Sequence, residues 1–315
     1  MKKNIAVVGC GHWGKNLVRN FAELKRLYAV CDPNDELAKM YSNKFNVKNL
    51  SFEEILSSSK ISGVVLAVPA SLHASMGLKV MKSKKDLFVE KPLALNAKEG
   101  KEMIHCAEFH GVNLMVGHLI QYHPAFIKLL DLVRSGKIGS LQYMYSNRLS
   151  FGKIRNEENV IWSFAPHDIS MILAVANEVP NHVTKHDANI LQDKISDSAL
   201  INFQFKSGLR SHIFVSWLHP FKEHKFVVIG SSGMLVFDDR NNWNQKLAFY
   251  ENSVDLKKGV PQIQKSDAYF FKLNEIEPLK AECMHFADVV DQKLIPKTSG
   301  LDGMKVLDVL SRISS

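Results

Sequence analysis

Five short runs in the first 117 residues are apolar on both faces: Asn4–Val8, Tyr28–Cys31, Gly63–Val68, Leu87–Glu90 and Val112–Val116. Strands buried on both sides belong in a parallel sheet covered by helices above and below. Helical periodicity fills the gaps, over His12–Lys25, Asp35–Phe45, His73–Lys82 and Ala97–His110, with Asn96 placed to cap the last helix and Gly111 to end it. This alternation predicts a doubly wound α/β domain over residues 1–120.

After Gly117 the rhythm changes. Pro124–Val133 reads as an amphipathic helix closed by Ser135-Gly136, and longer β-patterned segments begin at Ile138–Leu149. "SALINFQFKSGLRSHIFVSW" (198–217) is two strands joined at Lys206-Ser207-Gly208, and "KFVVIGSSGMLVFDD" (225–239) is two more around Ser232-Gly233. Helical patterns fall near Ala165–Ala176, Pro278–Val290 and Leu301–Ile313. Residues 121–315 are therefore expected to form an α+β domain with a large, mainly antiparallel sheet and helices on one face.

Composition narrows the function classes. The chain of 315 residues is 46% apolar, as in ordinary globular proteins, and no apolar run reaches the ~18 residues a membrane span needs. The run after Lys2-Lys3 stops at Gly9, too short for a secretory signal, so the cytoplasm is expected. Cys10, Cys31, Cys106 and Cys283 are scattered, which fits free thiols in a reducing compartment and no zinc site. The net charge of +8 is dispersed, without a basic tract for nucleic acid. An anionic small ligand is the milder explanation. His118 and His123, five apart, suit one metal ion poorly, and no metal is expected.

The first run ends in "VVGCGHWGKN", whose glycines fall as G-x-G-x-x-G. Between strand and helix this spacing lets Gly9 turn tightly, Gly11 admit a pyrophosphate to the backbone, and Gly14 pack helix on strand. The helix start then offers N–H groups and partial positive charge to the anion. Asp32 stands 21 positions after Gly11, at the end of the next strand. A carboxylate there accepts from both hydroxyls of an adenine ribose and repels a 2′-phosphate, which predicts NAD over NADP.

With this turn, "AVPASLH" (67–73) and "VEKPLALN" (89–96) resemble the glucose–fructose oxidoreductase / inositol dehydrogenase (Gfo/Idh/MocA) family, where Glu-Lys-Pro follows a strand of the parallel sheet. The resemblance extends to "LKAECMHFADVV" near the end. It implies that His12, Trp13, Ala67, Pro69, His73, Glu90, Lys91 and Gln121 line the cofactor together with the glycines and Asp32. Further, "GHLIQYHPAF" (117–126), "YSNRLSFGKIRNEENVIWSFAPHDIS" (145–170) and "SWLHPFKEHK" (216–225) look like the branch that oxidises the 3-hydroxyl of a UDP-linked N-acetylhexosamine or its uronic acid. In that branch the 3-oxo product feeds an aminotransferase, on the way to 3-amino sugars of cell-surface polysaccharides. The resemblance also implies a homo-oligomer, dimer or tetramer.

Hydride transfer from a secondary alcohol needs the carbinol carbon held against the nicotinamide, a base for the hydroxyl proton, and a destination for that proton. Lys91 is the candidate beside the reacting oxygen, where an ammonium favours developing negative charge. Pro92 fixes the chain after it, and a cis bond is possible there. His167 is the candidate general base, with an ordinary pKa near the working pH. Asp168 is placed to orient it or to cap a helix starting there. The wider family often has an aspartate four residues before this histidine, where this chain has Ser163. That departure leaves the proton acceptor open between His167 and Lys91. Tyr122, Arg148, Arg155, Asn159, Trp162 and Ser163 are the further candidates for substrate contacts, since arginine suits phosphate and tryptophan stacks on a base. "WLHPFKEHK" (217–225) reads as a sheet-edge loop.

The rivals are a dehydrogenase of a free polyol such as inositol, a non-catalytic NAD- or sugar-sensing protein, and a hydro-lyase or isomerase using NAD transiently. The basic stretch Arg148–Arg155 leans toward an anionic nucleotide sugar.

Overall fold

The computed structural model describes residues 4–152, 154–156, 158–256 and 259–314. Two units emerge from the chain's contacts, one of residues 1–122 and 277–308, the other of residues 123–276 and 309–315. Lys2, Lys3, Lys153 and Glu157, which the sequence reading touches, lie outside the described residues.

The first unit alternates β1 (Ile5–Val8), α1 (Gly14–Glu23), β2 (Leu27–Cys31), α2 (Asp35–Phe45), β3 (Lys48–Asn49), α3 (Phe52–Ser57), β4 (Gly63–Leu66), α4 (His73–Lys82), β5 (Asp86–Glu90), α5 (Ala97–His110) and β6 (Leu114–Gly117). The six strands pair in parallel in the order β3-β2-β1-β4-β5-β6. This is the doubly wound order whose direction reverses between β1 and β4, and ligands bind outside the strands' carboxyl ends at that point. Local chemistry sets the helix ends. Asn34, Ser51 and Asn96 cap α2, α3 and α5 by accepting backbone N–H bonds, and Gly111 closes α5 at φ +63°.

The second unit holds α6 (Pro124–Arg134), β7 (Leu141–Phe151), α7 (Val160–Ala176), β8 (His182–Ala188), β9 (Ser198–Gln204), β10 (Arg210–Ser216), β11 (Leu218–Gly230), β12 (Met234–Asp238), β13 (Leu247–Tyr250), β14 (Ser253–Asp255), β15 (Gln262–Gln264) and β16 (Tyr269–Phe270). Eight of these strands form a sheet in the order β16-β13-β12-β11-β7-β10-β9-β8, antiparallel except for the β7/β10 pair. The expected hairpins are β9/β10 and β11/β12.

Three expectations change. The closing helices were placed with the second domain, but α8 (Pro278–Gln292) and α9 (Gly300–Ser314) as far as Asp308 pack with the first unit. The cause is α8's apolar stripe: Phe286 meets Phe88 at 5.5 Å and Phe21 at 6.2 Å between ring centres. Gly63 leaves room for it, since a Cβ there would meet Val290 at 2.7 Å. The segment after α8 extends the sheet, as the Val116 N–H donates to Thr298 O at 2.8 Å. Next, α7 starts at Val160 and runs through Pro166, because the Asn159 side chain caps it by accepting the Trp162 N–H at 3.1 Å. Finally, residues 218–225 are the first part of strand β11 and not a loop: they pair with β7, and β12 joins on the other side only from Lys225.

Candidate active site

The three glycines after β1 do three different things. Gly9 sits at φ +93°, and a Cβ there would lie 2.4 Å from Ala67 O at the end of β4. A Cβ on Gly14 would fall 1.9 Å from Gly9 O, so α1 approaches β1 only because Gly14 has none. Gly11 has no atom within 4 Å of its would-be Cβ, which leaves the turn's outer side open to a ligand. The α1 N-terminus carries no side-chain cap, and its N–H groups and dipole remain available to an anion. Asp32 fastens the turn: Oδ2 accepts the Cys10 N–H at 2.7 Å and Oδ1 the Asn34 N–H at 2.9 Å. A carboxylate has about four lone-pair directions, so two hydroxyls can still be accepted. Cys10, buried beside it, has its thiol pushed up to about 12, first by desolvation and then by Asp32.

At the end of β5, the Trp13 indole N–H donates to Glu90 Oε1 at 2.6 Å. Glu90 is buried, and desolvation raises its carboxyl to about 7 against the lowering pull of Trp13 and Lys91. Gly117 on β6 makes the room, since a Cβ there would sit 2.8 Å from Glu90 Oε2. The Lys91–Pro92 peptide is cis, and Lys91 is half-buried at the sheet's carboxyl edge. His12, Trp13 and Pro69 are exposed on the same edge, while Ala67 and Asp32 are half-buried there.

Two residues expected to touch ligands have other work. His73 is buried, with Nδ1 2.7 Å from Pro92 O and Nε2 3.0 Å from Val68 O. Desolvation lowers its pKa, and the ring ties the loop after β4 to the one after Lys91 instead of facing outward. Tyr122 is buried too, its hydroxyl 3.1 Å from Thr298 Oγ1 and its ring beneath the Lys297 ammonium, so it anchors the C-terminal segment. Gln121 is buried next to it, and its carbonyl accepts from Lys297 Nζ at 2.6 Å.

In the second unit, α7 presents His167, half-buried, with Ser163 buried one turn earlier. Asp168 does not cap the helix, whose N-cap is Asn159. It lies inside α7, fully buried, and takes Arg148 Nε at 2.6 Å, Arg148 Nη2 at 3.2 Å and Ser146 Oγ at 2.5 Å. Arg148 is therefore locked to its own fold by a two-pronged ion pair. Arg155 is exposed and pairs with Glu158 at 3.0 Å, Asn159 is the α7 cap, and Trp162 is half-buried on α7's first turn.

An open cradle at Gly11, an uncapped helix start and a carboxylate just past the end of β2 fit an NAD pyrophosphate and adenosine. Comparison with known proteins agrees. The model of the oxidoreductase family with an NAD-binding Rossmann fold matches residues 3–118, and the GFO/IDH/MocA C-terminal domain model matches residues 126–236. The chain belongs to the Gfo/Idh/MocA family. It binds NAD through its first unit. Among relatives, 2,7-anhydro-N-acetylneuraminate hydratase of Escherichia coli is 25% identical over 75% of this chain and 67% of that protein. UDP-N-acetylglucosamine 3-dehydrogenase of Acidithiobacillus ferrooxidans is 22% identical over 96% and 93%. Its solved structure superposes with a TM-score of 0.87, covering 99% of this chain and 96% of that one. The NAD-dependent scyllo-inositol 2-dehydrogenase of Bacillus subtilis is 25% identical over 96% and 91%.

The Gfo/Idh/MocA reading of the sequence gives no role to two buried titratable groups of the first unit. His118, just after β6, is 2% exposed, with no hydrogen-bond partner for either ring nitrogen among the described residues, and burial pushes it down to about 4. Glu282 on α8 is fully buried with neither oxygen partnered among the described residues, and desolvation raises it well above the carboxylic range. Glu282 was visible as an acid on the apolar stripe Leu279–Phe286–Val289 of "LKAECMHFADVV". Among the described residues no group of acids, histidines and cysteines is arranged to hold a metal, and no helix is long and apolar enough to cross a membrane.

Proposed function

We propose that this oxidoreductase removes hydrogen from the 3-hydroxyl of UDP-N-acetylglucosamine or its 6-carboxylate. The observation that carries the reading is similarity along nearly the full length to a UDP-N-acetylglucosamine 3-dehydrogenase, with the same fold. When bound, NAD supplies the hydride acceptor. Lys91 favours negative charge on the reacting oxygen, and His167 shares with it the handling of the hydroxyl proton. His73 and the cis Pro92 hold the lysine's loop. In this reading the unit of residues 1–122 and 277–308 binds NAD and the unit of residues 123–276 and 309–315 carries substrate recognition, with Ser163 and Trp162 on the same helix as His167. The 3-oxo product suits an aminotransferase, the protein works in the cytoplasm, and copies assemble as a dimer or tetramer. The full-length inositol dehydrogenase relative supports a second reading, oxidation of a free polyol with the same catalytic pair.

Incubation with NAD and a panel of UDP-N-acetylglucosamine, its 6-carboxylate and inositols tests this. A ketone acceptor regenerates NAD, and the product is weighed by mass spectrometry. A UDP-sugar lighter by two hydrogens is expected; turnover of inositol alone overturns the substrate. Lys91→Ala and His167→Ala are each expected to slow turnover at least ~100-fold with NAD still bound.

A further inference from the structure

Oxidising an alcohol frees a proton as well as a hydride, and the first unit holds a buried set of titratable groups where β5 and β6 end. Parallel pairing of Glu90 with Gly117 brings Lys91 and His118 out of the sheet at the same level. Lys91 acts on both neighbours, favouring the charged form of Glu90 and the neutral form of His118. From α8, Glu282 faces the same region, and the Glu90 charge acts on it. The remaining groups are Trp13, which bonds Glu90, Tyr122 and Cys283, which lie within reach of the Glu282 charge, and Asp302 of α9, which acts on His118.

Two of these side chains are at least nine-tenths buried without a partner among the described residues, Glu282 and His118. Such orphaned polar groups are rare in folded proteins and ask for a reason. Two carboxyls in one apolar shell do not both ionise, so the pair carries a single negative charge and a single vacancy for a proton. Trp13 settles which member is charged, because its N–H stabilises the carboxylate of Glu90 while Glu282 has no donor.

We propose that Glu90 is the acceptor for the proton of the alcohol, delivered through Lys91, and that Glu282 is a positioning residue held as a neutral acid so that Glu90 alone takes it. This rests on the dehydrogenase reading above. One N–H bond of the Lys91 ammonium breaks as a Glu90 carboxylate oxygen gains that proton, and the amine so formed gains the hydroxyl proton as the O–H bond breaks. Charge balances, with one carboxylate neutralised per hydride removed. The proton then leaves Glu90 to solvent.

The test has an arm that needs no turnover. Infrared titration of the protein is expected to show a protonated carboxyl band persisting at pH 8 that Glu282→Gln abolishes; full ionisation of Glu282 by pH 8 overturns the proposal. In single turnover with an indicator dye, proton release is expected to lag NADH formation in the wild type. In Glu90→Gln, hydride transfer is expected to slow at least ~10-fold, with the lag lost. Release in step with NADH in the wild type, or an unchanged lag in Glu90→Gln, also overturns it. Absence of NADH formation by the wild type with every sugar and polyol of the panel defeats the dehydrogenase reading itself, whereas wild-type turnover with undiminished turnover in Lys91→Ala, or with an unchanged lag in Glu90→Gln, defeats the relay alone.

Discussion

The Trp13 indole N–H reaches Glu90 Oε1 at 2.6 Å, a bond spanning 77 residues that fastens the glycine turn to the strand carrying Lys91. It gives a buried carboxylate its side-chain donor and has a pH signature. Burial raises Glu90 and the indole N–H opposes the rise. Removing the donor raises the folded-state value further. A raised acid favours the fold at pH below the unfolded value, and that advantage is lost as pH climbs through the folded value. Trp13→Phe is therefore expected to lose little stability at pH 5 and about 1.5 kcal/mol more at pH 8, the low end for a bond to a charged group. Denaturant midpoints at the two pH values measure it; an equal loss at both contradicts it.

The glycines separate folding from binding. Gly14→Ala puts a Cβ into Gly9 O and is expected to lower the melting temperature by several degrees. Gly11→Ala meets no protein atom, so its melting temperature should stay near the wild-type value while NAD affinity falls about 10-fold. Calorimetry of both variants with and without NAD checks this. Equal melting losses in the two would remove the distinction.

Asp32 holds the glycine turn, and in the proposed reading it also holds the adenine ribose. Asp32→Asn keeps an acceptor oxygen for the Cys10 N–H and removes the charge. Its stability is expected to stay within ~1 kcal/mol of wild type, while the preference for NAD over NADP narrows about 10-fold. Titration with both dinucleotides measures the ratio, and equal weakening of the two refutes the ribose role.

Arg148 is tied to buried Asp168, so its loss strands a charge. Arg148→Met is expected to cost about 3–5 kcal/mol, with at least half regained when Asp168→Asn is added. Denaturant unfolding of the single and double variants decides. A stable single variant with poor substrate affinity would restore Arg148 to a substrate-binding role.

What the sequence reveals follows the range of the interactions. The parallel sheet, its helices and the glycine turn are legible because periodicity, caps and turn residues act over a few neighbours. The placement of α8 on the first unit is not, since its apolar stripe says that it must be covered without saying by what; Phe21 and Phe88 supply the answer 265 and 198 residues away. Arg148 looks like a ligand group, and Asp168 like a partner of His167 or a helix cap, because each is a charged residue near a functional motif. Only the fold shows that they neutralise each other. His73 misleads in the same way, as its two carbonyl partners come from separate loops. Glu282 stands in the sequence as an acid on an apolar helix stripe, but nothing local says that Glu90 acts on it.

The most direct measurement of the central claim follows one hydrogen. UDP-N-acetylglucosamine carrying deuterium only at C3 is incubated with the protein and NAD, and the reduced cofactor is weighed. The account predicts that the deuterium appears in NADH and that the sugar recovered is the unlabelled 3-oxo compound. Deuterium retained at C3, with the cofactor unlabelled, would contradict it.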